Sequence, residues 1–159
     1  MLKRTVILII IATFVAIIGD STAPAFTIET IQNETLRSEA LLEKGPIFIE
    51  FWATWCNPCV RFLPHVDQFS RNHPEMTFIA VSIDRPRDRD KVLRHARSNR
   101  FNFVTGFDGS RDLQRLFNVT SVPRTIMINQ AGEIVYDNSG YNSGDEVGLE
   151  AKIKEILGK

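Results

Sequence analysis

At 159 residues the chain has room for one ordinary domain and not for two. Hydrophobic residues make up 43% and charged residues 24%, a globular composition that excludes a disordered or collagen-like chain. With 19 basic and 19 acidic residues, whole-chain electrostatics gives no case for nucleic acid; two cysteines cannot build a disulfide scaffold.

In chain order, Lys3 and Arg4 precede an apolar run from Val6 to Ile18 broken only by Thr13. A short polar stretch follows, then the small residues of Ala23-Pro24-Ala25. That is the order of a secretory signal, with cleavage expected after Ala25. The run is shorter than the roughly 20 residues that comfortably cross a bilayer, and an uncleaved membrane anchor over residues 5–19 is the alternative. Both place residues 26–159 outside the cytoplasm, in the periplasm or tethered to the inner membrane, where disulfides persist.

Glu34 to Glu43 reads as a short helix with Leu36, Ala40 and Leu42 on one side, stopped by Gly45-Pro46. Ile47 to Trp52 is a nearly continuous apolar run, the pattern of a strand covered on both faces. Asn57 to Asn72 carries Phe62, Val66 and Phe69 at helical spacing and ends at His73-Pro74. Phe78 to Ile83 is a second apolar strand. Asp88 to Asn99 is a polar helix with a narrow apolar edge, Phe101 to Val104 a strand, and Asp108-Gly109 a turn. Ser110 is positioned to cap a helix bearing Leu113, Leu116 and Phe117. Thr125 to Asn129 and Glu133 to Tyr136 form a hairpin around Gln130-Ala131-Gly132. Leu149, Ile153, Ile156 and Leu157 mark a final amphipathic helix closed by Gly158. Alternating strands and helices indicate an α/β fold with a mixed sheet.

The informative stretch is Phe51-Trp52-Ala53-Thr54-Trp55-Cys56-Asn57-Pro58-Cys59. It places Cys56 where a helix begins just past a buried strand. Free backbone N–H groups and the helix dipole stabilise a thiolate there. Cys59 follows three residues later, so the two sulfurs share a face, and Pro58 fits the first turn, where its missing N–H costs nothing. Cys56 is expected to be the exposed, acidic nucleophile and Cys59 the shielded partner. A zinc site needs two further ligands, and His65, His73 and His95 lack ligand spacing; a permanently closed structural disulfide is the other bland reading. Glu50 is the one ionisable residue in the Ile47–Trp52 run. Burial raises a carboxyl pKa and suits it to carry a proton, unless the strand end is wet and Glu50 pairs with a lysine. Ser121-Val122-Pro123 sets a proline directly before a strand; on base rates its peptide bond is trans.

These residues together resemble the thioredoxin superfamily, and most closely its exported TlpA/ResA-type thiol–disulfide oxidoreductases. The likeness runs over roughly residues 45–159, through the Phe51–Cys59 motif, Pro64, Val122-Pro123 and the Gln130–Gly132 hairpin. Between Asp84 and Pro123 lie 38 residues, more than plain thioredoxin has, and the extra elements from Asp88 to Val104 match the TlpA/ResA insertion. The resemblance implies a thioredoxin fold with a mixed central sheet flanked by helices. It implies a cis bond before Pro123 and a docking surface of Trp55, Val122 and Pro123, with Asn57 and Pro58 tuning the redox pair. It also puts Glu50 where thioredoxins keep a buried Asp for proton transfer. Phe62 stands where many ResA-like proteins carry a glutamate, and Arg124 where threonine is common.

The expected reaction is exchange of the Cys56–Cys59 pair with protein disulfides or dithiols, without cofactor or metal. The direction favoured by resemblance is reduction, recharged by a membrane-embedded thiol donor, with apocytochrome c cysteines as one candidate substrate. A dithiol oxidant and a copper-binding or copper-delivering protein are the alternatives, and Thr54 raises a peroxide-reducing enzyme as a further rival. Seven cations between positions 85 and 100 outnumber Asp88 and Asp90; they read as a solvated helix face, or as a dock for anionic lipid or an acidic partner.

Overall fold

The computed structural model describes residues 21–159; the apolar run expected to be a signal or anchor lies outside them. None of the helices among the described residues is long and apolar enough to cross a membrane. The described chain begins with a hairpin of β1 (Thr27–Glu29) and β2 (Thr35–Arg37), then α1 (Ser38–Leu42). The main sheet is built from β3 (Ile47–Trp52), β4 (Thr77–Ser82), β5 (Val104–Phe107), β6 (Arg124–Ile128) and β7 (Ile134–Ser139). Their order is β5-β4-β3-β6-β7, with β3, β4 and β5 parallel and β6 and β7 antiparallel. Helices α2 (Asn57–Asn72), α3 (Arg89–Asn99), α4 (Asp112–Leu116) and α5 (Asp145–Ile156) complete the fold.

The alternation of side chains along β3 divides the core. Phe48 and Trp52 join Cys59, Phe62, Leu63 and Val66 of α2, Val92 of α3 and Leu149 and Ile153 of α5 in one cluster. Ile47, Ile49 and Phe51 join Phe26 and Ile28 of the hairpin, Leu41 of α1 and Leu113 of α4 in the other. A strand buried on both faces needs apolar residues at every position, and all six residues of β3 are buried. The expected mixed α/β sheet is therefore present, with α2, α3 and α5 on one face and the hairpin, α1 and α4 on the other.

Three local expectations are corrected. Residues 34–43 are not one helix: Thr35 to Arg37 pair with β1, and Ala40, expected on the packed side, is exposed. Thr30 Oγ1 accepts the N–H groups of Gln32 and Glu34 and Asn33 takes a left-handed φ of 66°, so a hairpin turn displaces the first helical turns. The helix starts only at Ser38, whose Oγ accepts the Phe26 N–H. The strand expected at Phe101–Val104 runs instead from Val104 to Phe107, because its register against β4 joins Val104 to Ile79 and Phe107 to Ser82. Phe101 and Phe103 stack on each other at 4.7 Å ahead of it. Ser110 does not cap α4. That role falls to the Asp108 carboxylate, which accepts the N–H groups of Leu113 and Gln114.

Residues 21–23 are held against the β6–β7 turn: Ile134 N–H donates to the Ser21 carbonyl, and Ala23 N–H to that of Gly132. The cleavage point expected after Ala25 thus follows a segment that already belongs to the folded edge. At Gly45, φ is +149° and a Cβ would collide with the Glu75 carbonyl oxygen, so this entry to β3 requires glycine.

Candidate active site

β3 ends at Trp52, and the Cys56 N–H donates to the Ala53 carbonyl at 3.0 Å. The chain thereby reverses through a turn that lifts Trp55 into solvent, 66% exposed. Cys56 is the N-cap of α2: its φ and ψ of −91° and 96° are extended, and its sulfur accepts the Cys59 N–H at 3.2 Å. Pro58 lies within the first helical turn. Cys56 and Cys59 are joined in a disulfide with their Cα atoms 5.3 Å apart. In this oxidised form Cys56 is 5% exposed and Cys59 fully buried. The expected order of accessibility is present, but the expected open exposure of Cys56 is not. Its sulfur is tied into the bridge, and Cys56 packs within the same core cluster as Trp52 and Cys59.

The turn is anchored from below by a residue the sequence reading passed over. Asp84, just past β4 and 2% exposed, accepts the Thr54 N–H at 2.8 Å, the Thr54 hydroxyl at 2.6 Å and the Ser82 hydroxyl at 2.8 Å. Thr54, the residue that suggested a peroxide-reducing site, is committed to this carboxylate. The only sequence signal was an acidic residue at the end of an apolar strand. An Asn at position 84 has one acceptor oxygen in place of two, and a lost bond to a buried donor costs about 1–3 kcal/mol. We expect Asp84→Asn to lower stability by that amount in urea unfolding, and to slow disulfide exchange by loosening the turn that carries Trp55 and Cys56. His95 of α3 lies against Trp52, ring centroids 5.2 Å apart. Burial holds its pKa below the ordinary 6.5, and the Asp84 charge opposes that.

Glu50 is fully buried and shares the sheet face of Phe48 and Trp52, which α2 covers with Cys59. It accepts the Thr125 hydroxyl at 2.6 Å, Thr125 being its register partner on β6. Its other oxygen, Oε1, is buried without a hydrogen-bond partner among the described residues. Burial pushes its pKa up to about 8, and the Thr125 hydrogen bond offsets only part of that. Glu50 has no exposed surface and bonds to Thr125, so the alternative of a solvent-exposed Glu50 paired to lysine does not describe this structure.

The Val122–Pro123 peptide bond is cis, as the resemblance implied and contrary to the base rate. Val122 packs against the core cluster that contains both cysteines. It also lines a groove of about 440 Å³ with Trp55, Ile83, Arg85, Arg111, Gln114, Thr120 and Ser121. Asn57 and Pro58 open α2. Arg124 does not point freely into solvent: its guanidinium grips Asp137 of β7 through two bonds of 2.8 and 2.7 Å. Phe62 is buried and stacks on Tyr141 at 4.5 Å, so an aromatic pair occupies the position where the resemblance implied a glutamate in many relatives. No group of three or more His, Cys, Asp or Glu side chains is gathered as metal ligands among the described residues.

A parallel-to-mixed sheet of this order, with a cysteine pair capping the helix after its central strand and a cis-proline ahead of the next, defines a thioredoxin-like oxidoreductase. The Redoxin family pattern matches residues 18–153, and the chain belongs to that family. It is 27% identical to thiol-disulfide oxidoreductase ResA of Halalkalibacterium halodurans over 115 residues, 72% of this chain and 65% of that protein. The chain thus spans a little under two thirds of that relative's length. Among solved structures it is similar to MTB DsbF, at 25% identity and a TM-score of 0.73, covering 85% of this chain and 99% of that one. It also shares its fold with StoA of Bacillus subtilis, at 20% identity and a TM-score of 0.67, over 86% and 98% of the two chains.

Proposed function

We propose that this protein is an exported thiol–disulfide oxidoreductase that reduces disulfides in protein substrates. The observation that carries the proposal is the Cys56–Cys59 bridge capping α2 beside an exposed Trp55 and the Val122–Pro123 loop. In the reduced protein the Cys56 thiolate, favoured by the N–H groups and dipole of α2, attacks one sulfur of a substrate disulfide. That bond breaks, the departing substrate sulfur takes a proton, and a mixed disulfide joins Cys56 to the other. Glu50, in its ionised form, then takes the proton of Cys59 as Cys59 attacks the Cys56 sulfur; the second substrate sulfur leaves, is protonated in turn, and Glu50 gives its proton up again. The substrate gains two electrons and two protons, and the protein is left with the Cys56–Cys59 disulfide.

A carboxyl with a pKa of about 8 is suited to this exchange because an ordinary thiol titrates near 8.5, and proton transfer between matched groups carries little driving-force penalty. Trp55, Val122 and Pro123 form the docking surface, and an extended substrate segment pairs with the peptide before Pro123. Asn57 and Pro58 set the potential of the pair. A membrane-embedded thiol donor returns two electrons after each turnover. The working compartment in this reading is the extracytoplasmic side, with residues 1–25 as signal or anchor and residues 26–159 as the thioredoxin-like domain, and the similarity to ResA supports it. Keeping the cysteines of apocytochrome c reduced is the task that fits such a reductant there. In an insulin-reduction assay driven by dithiothreitol, we expect the wild-type chain to accelerate precipitation of the insulin B chain and Cys56→Ser to match the uncatalysed rate. Acceleration that survives the loss of Cys56 would contradict the proposal.

A further inference from the structure

We propose that the groove beside Cys56 selects substrate segments carrying a carboxylate close to the reacting cysteine, with Arg85 and Arg111 as the selecting residues. The inference rests on the oxidoreductase reading above and specifies the substrate for it. The groove is lined by Trp55, which precedes Cys56 in the chain, and by Ser121 and Val122, the residues leading into Pro123. An extended segment that lies in this groove while its cysteine reacts at Cys56 meets Arg85 and Arg111, which line the same groove.

No acidic side chain is among the lining residues; the others there are apolar or neutral polar. Of the nearby acids, Asp88 is shared among several cations, Arg85 included, and Asp112 and Asp84 bond to other groups. Asp88 pairs most closely with Lys91 at 2.6 Å and more loosely with Arg85 at 3.8 Å and Arg87 at 3.9 Å, and the Arg85 side chain remains 62% exposed. Asp112 takes the Arg115 guanidinium and the Ser110 hydroxyl, each at 2.5 Å. Asp84 is buried beneath the turn and satisfied by Thr54 and Ser82. Arg111 is exposed and takes a left-handed φ of 63° at the start of α4. Within the basic 85–100 segment, Arg85 is thus distinct from Arg89, which turns inward to the Ile31 carbonyl and Asn33, and from Arg97, which lines a separate cavity. Two guanidinium groups at the rim of an otherwise neutral groove attract and register a carboxylate, and exclude a lysine by like-charge repulsion.

The test uses three disulfide peptides, identical except that the residues flanking the disulfide are Glu, Gln or Lys. The reduced full chain is mixed with each, and single-turnover rates are followed by mass spectrometry. The readout is the ratio of the Glu-flanked to the Lys-flanked rate within each protein. For the wild type we expect a ratio of about ten at low salt, as for two exposed charge pairs, falling towards one in 0.5 M salt as screening sets in. Arg85→Gln/Arg111→Gln should bring the ratio near one, Arg85→Glu/Arg111→Glu should invert it, and Arg97→Glu should leave it at the wild-type value. A wild-type ratio of one, or a ratio unmoved in the double variants, overturns the groove assignment alone. The uncharged bis(2-hydroxyethyl) disulfide separates the two levels. If the wild type reduces neither it nor any peptide, the oxidoreductase reading falls and this inference with it.

Discussion

Cys59→Ser is expected to accumulate a covalent adduct with protein disulfides, attached through Cys56, and Cys56→Ser to form none. Cys56 is the N-cap of α2 and the less buried of the pair. The α2 N–H groups and dipole act on its sulfur, whereas Cys59 lies inside the first turn with no exposed surface. Removing the resolving sulfur leaves the first displacement intact and eliminates the second, so the mixed disulfide persists. Turnover in an insulin assay should fall at least about a thousandfold in either variant, because thiolate chemistry has no substitute group at the site. The position of the adduct is read by peptide mapping. The pH dependence of iodoacetamide alkylation in reduced Cys59→Ser should place the Cys56 thiol below the ordinary value of about 8.5. Adducts formed equally by both single variants would mean that the two sulfurs are interchangeable, which their different burial does not allow.

The second large effect concerns Glu50. The unfolded chain releases its proton near the ordinary value of 4.5, and the folded protein holds it to about pH 8. Between those values the native state binds one proton more than the unfolded state. Stability contributed by the neutral carboxyl is therefore complete below pH 4.5 and is lost as pH rises through 8. A shift of this size corresponds to a penalty on the order of 3–5 kcal/mol once the group is ionised in the fold. Glu50→Gln cannot ionise. The stability of the variant relative to wild type should rise by that amount between pH 4.5 and 9, as measured by urea unfolding across the range. The same substitution removes the proton acceptor proposed for Cys59, and resolution of the mixed disulfide should slow by a factor of about 100. A relative stability that stays flat with pH would mean that Glu50 is hydrated in solution.

Much of this was legible in the primary structure because the signals were local. A six-residue apolar run containing a single acid marked both the central strand and its buried carboxyl. The spacing of Cys56, Pro58 and Cys59 marked a helix start with two sulfurs on one face. The cis bond before Pro123 was legible only through family resemblance, since nothing local in Ser121-Val122-Pro123 distinguishes it from a trans bond. The elements that escaped were decided by distant partners. Thr35–Arg37 is strand because β1 lies beside it, and β5 begins at Val104 because β4 fixes its register. Asp84 was invisible as a site residue because its partner Thr54 is 30 positions away, and Asp108 outcompeted Ser110 as a cap through the path of the loop. Arg85 and Arg111 line one groove although 25 residues of the insertion and its return lie between them, a convergence no sequence window contains.

That these two cysteines serve to donate electrons is tested most directly by the midpoint potential of the Cys56–Cys59 couple, from equilibration of the full chain with glutathione or dithiothreitol at pH 7 and mass-spectrometric counting of free thiols. A value close to thioredoxin's, about −270 mV, is predicted. A value above about −150 mV, in the range of strong dithiol oxidants, would reverse the direction of exchange and contradict the reductant assignment.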